Sequence, residues 1–204
     1  MAKLNSGING PFRGKVGTVV GVEWKGGYYV RSTPAKRTSK RKVDEKANQS
    51  RFSMVHQWLQ PLLDFVRVGF KGYSEKSEGF NAAKSYVLRN AIKNEKGVFS
   101  IDPSLVQLSY GKLPLPSHIS VTPQPDKTLL FEWDPSNNGG DRFDQLMFVL
   151  YNKKTKQALC HTTGQFRHEG KQIINFSGKG CHIYVAFNAH DRESQSHSVY
   201  LGLY

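Results

Sequence analysis

The 204-residue chain holds two cysteines, Cys160 and Cys181, too few for a disulfide framework. Each is followed by a histidine. Adjacent side chains on a strand leave opposite faces, so neither Cys160-His161 nor Cys181-His182 is expected to hold a metal. No apolar run suits a bilayer: MVHQWLQPLLDFVRVGF, residues 54–70, is broken by Asp64 and Arg67. The opening MAKLNSGING has no apolar core of the kind a secretory signal needs, so the expectation is a soluble chain, cytoplasmic or within a particle. The phosphate-loop, zincin, hydrolase and dinucleotide signatures are all missing. No nucleophile is spaced with a base, and the expectation is of no enzyme: no catalytic residue, no cofactor, no small-molecule substrate. Acidic residues are scarce in one half. Residues 1–116 carry 20 Lys and Arg against 8 Asp and Glu, and residues 117–204 carry 9 against 8. Nearly all of the +13 excess therefore lies in the first half, the asymmetry of a chain that meets a polyanion.

What is present begins with a hairpin. VGTVVGVEW at 16–24 is rich in β-branched residues and reads as a strand, KGG at 25–27 as a turn, and YYVRS at 28–32 as the returning strand. Gly14, Gly17 and Gly21 reduce bulk along it and allow another backbone to come close. With Trp24, Tyr28 and Tyr29 they form a candidate self-assembly hairpin. After Pro34 comes a basic connector. Arg31, Lys36, Arg37, Lys40, Arg41, Lys42, Lys46 and Arg51 face only Asp44 and Glu45, and form a candidate polyanion-binding set. Trp24, Tyr28 and Tyr29 are near enough to stack on bases, but the preferred expectation is that one face of the hairpin is core, since strand aromatics usually pack. No recognition helix is visible, so contacts to nucleic acid would be to phosphates and indifferent to sequence.

From about Asp44, Phe52, Val55, Leu59, Leu62, Leu63 and Val66 recur at helical spacing, with a kink expected at Pro61. A second helix is expected over 80–95, closed by Gly97, followed by strands in VFSID and LVQLSYGKL. KLPLPS at 112–117 reads as a short linker. Beyond it lie seven short strand candidates separated by turn residues: HISVTP, TLLFEWD, QLMFVLYN, QALCHTT, KQIINFS, CHIYVAFNA and HSVYLGLY. The fold expected is an α+β domain over 1–116 followed by an all-β, immunoglobulin-like sandwich over 117–204. Most histidines fall in this second half and read as surface or hydrogen-bonded residues. The oxygen-rich loop of Asp134, Asn137, Asn138, Asp141 and Asp144 lacks an EF-hand register; a turn held by its own side chains is preferred to a calcium site.

Residues 117–204 resemble a fibronectin type III domain. WDPSNNGGDRFDQLMFVLY looks like that family's core-tryptophan strand and loop, and YVAFNAHDRESQSHS like its Tyr-x-Ala-x-Asn strand. The resemblance makes Trp133 the core tryptophan and Tyr184 the corner tyrosine, and implies a spacer or interaction module. GKVGTVVGVEWKGGYYVRSTPAKRTSKR, RFSMVHQWLQPL and GFNAAKSYVLRNAI resemble a family of proteins of about this length, without agreed function, found mainly in Bacteroidota. RSTPAKRTSKR and NQSRFSMVHQWL look like a stretch of some phage and prophage structural proteins. GKVGTVVGV is similar to a glycine-containing turn of RNA-binding ribosomal barrels. Two functions are therefore expected. One is a structural subunit of a larger, phage-like assembly, its partners being other copies or neighbouring subunits and, through phosphates, DNA or RNA. The other is a stand-alone protein that binds nucleic acid without sequence preference. No membrane partner is expected.

Overall fold

The computed structural model describes residues 3–4, 10–24, 26–36, 38–40, 42–74, 77–95, 97–136, 139–176 and 178–204. These form two compact units, residues 1–43 and 44–204.

Strands β1 (Lys3–Leu4), β2 (Phe12–Val16), β3 (Val19–Trp24) and β4 (Gly27–Ser32) make one antiparallel sheet in the order β1-β2-β3-β4. The strand expected over 16–24 is divided. Gly17 turns with φ +56, a conformation glycine adopts without strain, and sends the chain back at Val19. The β3–β4 hairpin forms as expected, with Gly26 at φ +77 in its turn. Pro34, which has no N–H to donate, lies just past β4.

The second unit begins with helix α1 (Val43–Leu59), whose first residue is the last of the first unit. Pro61 opens a 3-10 turn over Gln60–Leu62, and α2 (Leu63–Gly69) continues. The expected kink is therefore a change of helix type, which spares Pro61 an interior hydrogen bond. Helix α3 (Gly79–Asn90) ends before the expected residue 95. Strands β5 (Ile92–Glu95) and β6 (Val98–Ile101) follow as a hairpin. Gly97, at φ +85, serves that hairpin's turn and does not close a helix. LVQLSYGKL is not a strand either. After a 3-10 turn over Pro103–Leu105, its backbone bonds to loops and to the end of α2: Leu108 N–H to Ser198 Oγ (2.9 Å), Tyr110 N–H to Gly69 O (2.8 Å) and Leu113 N–H to Gln195 O (3.1 Å).

All seven expected strands of the second half form: β7 (Ser120–Gln124), β8 (Thr128–Glu132), β9 (Gln145–Asn152), β10 (Gln157–His161), β11 (Lys171–Asn175), β12 (Cys181–Asn188) and β13 (Val199–Leu203). They make a four-stranded sheet, β10-β9-β12-β13, and a three-stranded sheet, β11-β8-β7. The fold is α+β with a β-sandwich. Two cores lie on opposite faces of β9 and β12. One, with Leu146, Phe148, Leu150, Ile183, Val185 and Phe187, fills the space between the sheets. The other packs Met147, Val149, Tyr151, Tyr184 and Ala186 against the helices through Trp58, Leu62 and Phe65.

This second core places the boundary expected at 116/117 inside the second unit. The expected linker is a packed strap: Leu113 and Leu115 lie against the inter-sheet core, and Arg167 Nη2 donates to Pro114 O. Trp133 sits between the sheets, its indole N–H donating to Arg167 O (2.7 Å). Tyr184 is buried on the opposite face of its sheet, among the helices, and its hydroxyl donates to Pro103 O (2.7 Å). Among the described residues no helix is long and apolar enough to cross a membrane.

Candidate binding surface on the N-terminal sheet

Strand register sorts the side chains of the first unit onto two faces. Gly14 pairs with Gly21 and Gly21 with Val30, Val16 with Val19 and Val19 with Ser32, and Glu23 with Tyr28. One face is therefore largely apolar with a glycine floor, Val16, Val19, Tyr28 and Val30 around Gly14 and Gly21, with Glu23 and Ser32 at its two ends. A Cβ on Gly21 would run into the carbonyl oxygen of Phe12 and, at 2.7 Å, its ring, so this glycine is occupied from within the sheet. Gly17 meets nothing within 4 Å. The other face follows from Lys15 paired with Val20, Val20 with Arg31, Val22 with Tyr29, and Trp24 with Gly27. With Arg13, two residues before Lys15 on β2, it gathers three cations and two aromatics over a floor of valines.

Little of this sheet is covered. Among the described residues of 10–42, Gly21 alone is buried. Trp24, Tyr28, Tyr29 and Val30 are exposed by 59, 56, 48 and 58%. β4 is the last strand of its sheet, and no described strand pairs with its outer side. The two-residue turn between Trp24 and Gly27 makes that pair a hydrogen-bonded one. The pattern then alternates through Tyr29 and Arg31 to Thr33, whose N–H donates to Thr18 O at 2.7 Å. Consequently the N–H groups of Tyr28, Val30 and Ser32 point away from β3.

Charge follows the same division of the chain. Residues 1–43 carry ten Lys and Arg against one acid, Glu23, whereas residues 44–204 carry 19 against 15. Arg31 lies on β4, and Lys36, Lys40 and Lys42 are exposed beyond it. Arg37 and Arg41 lie outside the described residues. Lys46 is exposed on α1, in the second unit. Arg51 is half-buried there, its guanidinium bonded to Asn48 Oδ1 (3.4 Å) and lying 5.3 Å from the Phe99 ring. The proposed polyanion set is thus divided between the units. Sequence reasoning missed Lys15, because only the register brings it beside Arg31.

Elsewhere, the two Cys-His pairs and the described part of the oxygen-rich loop are engaged in packing and hydrogen bonds. Cys160 packs against the helical core while His161 stacks on Phe148 of the inter-sheet core, 4.8 Å between centroids. Burial, together with Asp64, pushes the Cys160 thiol up to about 11, and burial likewise raises that of Cys181. His182 Nδ1 is 2.9 Å from the Tyr200 hydroxyl. In the oxygen-rich loop, Asp134 accepts from Ser136 N–H and Asp141 from Phe143 N–H. Asn137 and Asn138 lie outside the described residues. Asp144 is buried against Arg167 at 3.3 Å, and burial raises its carboxyl against the opposing pull of the guanidinium. Among the described residues, no three His, Cys, Asp or Glu side chains converge as a metal site would require.

Residues 11–202 match a family of unknown function, DUF6266. The chain belongs to that family. No curated protein and no solved structure matches it. The DUF6266 match runs from β2 into β13 and takes in residues of both units.

Proposed function

We propose that this DUF6266 protein is a non-enzymatic structural subunit of a larger assembly. Its first 43 residues join it to a second copy of the chain and lay a basic stretch against nucleic acid or an acidic surface. The observation that carries this reading is the open β4 edge on a sheet whose apolar face is uncovered. A sheet needs a buried face to be stable in water, and an open edge is a template for another strand. Antiparallel pairing of two β4 strands about Val30 uses every outward N–H and C=O. It also sets Tyr29 opposite Arg31 of the second copy, a cation–aromatic pair. The likeness of 31–41 and 48–59 to phage structural proteins favours a particle. The fibronectin type III resemblance of 117–204 fits a spacer or contact module.

Light scattering behind size exclusion, on nuclease-treated protein at low and high salt, tests this. The expected mass is twice 23.0 kDa at both salts for the wild type. Val30→Pro is expected to be a folded monomer, because the N–H it removes is not used by β3. A wild-type monomer at both salts, or a dimer indifferent to Val30→Pro, would overturn the pairing. A monomer that sheds nucleic acid as salt rises would favour the stand-alone binding protein instead.

A further inference from the structure

The cationic face of the N-terminal sheet holds more than charge. Lys15 and Arg31 flank Val20 in one row across the strands, with Tyr29 in the next row and Trp24 in the one after. Rows on one face are two residues apart, about 7 Å, which is comparable to the length of one nucleotide in an extended strand. Trp24 and Tyr29 are diagonal neighbours there, exposed by 59 and 48%. Half-exposed rings beside cations on one sheet face are the elements of a stacking platform: aromatic faces take bases and cations take the phosphates between them. A duplex, whose bases are already stacked, would engage only the cations.

We infer that this face binds single-stranded nucleic acid, with bases stacked on Trp24 and Tyr29 and phosphates held by Arg13, Lys15 and Arg31. The inference rests on the polyanion-binding half of the proposed function and names its ligand. It does not need the β4 dimer. Stacking reads no base edge, so binding is indifferent to sequence.

The chain carries its own reporter. Trp24 is 59% exposed, whereas Trp58 and Trp133 are 5 and 4% exposed, so a base stacking on the sheet quenches one tryptophan of three. The test titrates nuclease-treated full-length protein with oligo(dT), oligo(U) and a duplex, each about 20 nucleotides long to exceed the span of one platform. Tryptophan emission and anisotropy are read at two salt concentrations. The single strands are expected to quench emission and to bind at least about tenfold more tightly than the duplex; the tighter of the two names the source. Replacing both rings, Trp24→Leu with Tyr29→Leu, is expected to cost about tenfold or more in affinity for both, from the loss of base–aromatic stacking. Trp24→Phe retains a ring and should restore most of it, which separates stacking from damage to the sheet. Arg13→Gln with Lys15→Gln and Arg31→Gln should flatten the salt dependence.

If the duplex binds as tightly as the single strands, or the leucine pair binds as the wild type does, the inference fails. The charge-only reading of the basic stretch then stands. Absence of binding to all three probes overturns the inference together with the polyanion half of the proposed function, while leaving the dimer to light scattering.

Discussion

Gly17 and Gly21 belong to one glycine series and do different work. At Gly21 the Phe12 carbonyl and ring occupy the space of a side chain, whereas Gly17 stands in open space with φ +56. Gly21→Val is therefore expected to unfold the N-terminal sheet, seen as loss of amide protection in residues 12–32, by overpacking of about 1–3 kcal/mol or more. Gly17→Ala should cost only the left-handed backbone, about 1–2 kcal/mol. The sequence showed that glycines here permit close approach. It did not show that the approaching group belongs to the same sheet, because Phe12 reaches Gly21 only after the chain turns at Gly17. The buried Arg167–Asp144 pair is a second case. Asp144 was legible as an oxygen-rich loop residue, but its partner lies in a distant loop. Asp144→Ala leaves an unpaired guanidinium in the interior, and urea unfolding should report a loss of about 3–5 kcal/mol.

Elements were legible where periodicity was clean. Pro61 announced its break, and the seven sandwich strands stood between turn residues. Helix α3 was read too long because Ile92–Glu95 carries no breaker, and the pairing that makes it a strand comes from 98–101. QLMFVLYN and CHIYVAFNA held a signal that went unused. They are continuous apolar runs and do not alternate, as expected of strands covered on both faces, and both faces of β9 and β12 are indeed buried. The hairpin β5–β6 is tied to the 3-10 turn after it by Asp102, which accepts from Ser104 N–H (3.0 Å) and pairs with Lys93 at 2.6 Å. These partners hold its carboxyl at about 2. A carboxyl depressed in the fold stabilises it above the ordinary value of 3.8 and loses that effect as pH falls toward 2. Asp102→Ala should thus cost about 1 kcal/mol at neutral pH, as loss of a cap does. The difference from wild type should close between about pH 4 and pH 2 in acid titrations of the unfolding midpoint.

At the scale of the molecule, charge and burial divide the chain at the same place. The first 43 residues hold nine of the thirteen net positive charges and, among those described, bury only Gly21, and the remaining unit holds both cores. Composition alone placed the excess in residues 1–116, because it could not see that 44–116 packs onto the sandwich and shares a core with it. Neither could it see that the first sheet has one apolar and one cationic face, which only register decides. The central claim is that the outer edge of β4 is completed by another strand. Amide hydrogen exchange of the wild type at increasing protein concentration tests it most directly. The account predicts that Tyr28, Val30 and Ser32, whose N–H groups point outward, gain protection as concentration rises, approaching that of Tyr29 and Arg31 in the β3 ladder. Rapid exchange of those three at every concentration, beside protected Tyr29 and Arg31, would contradict it.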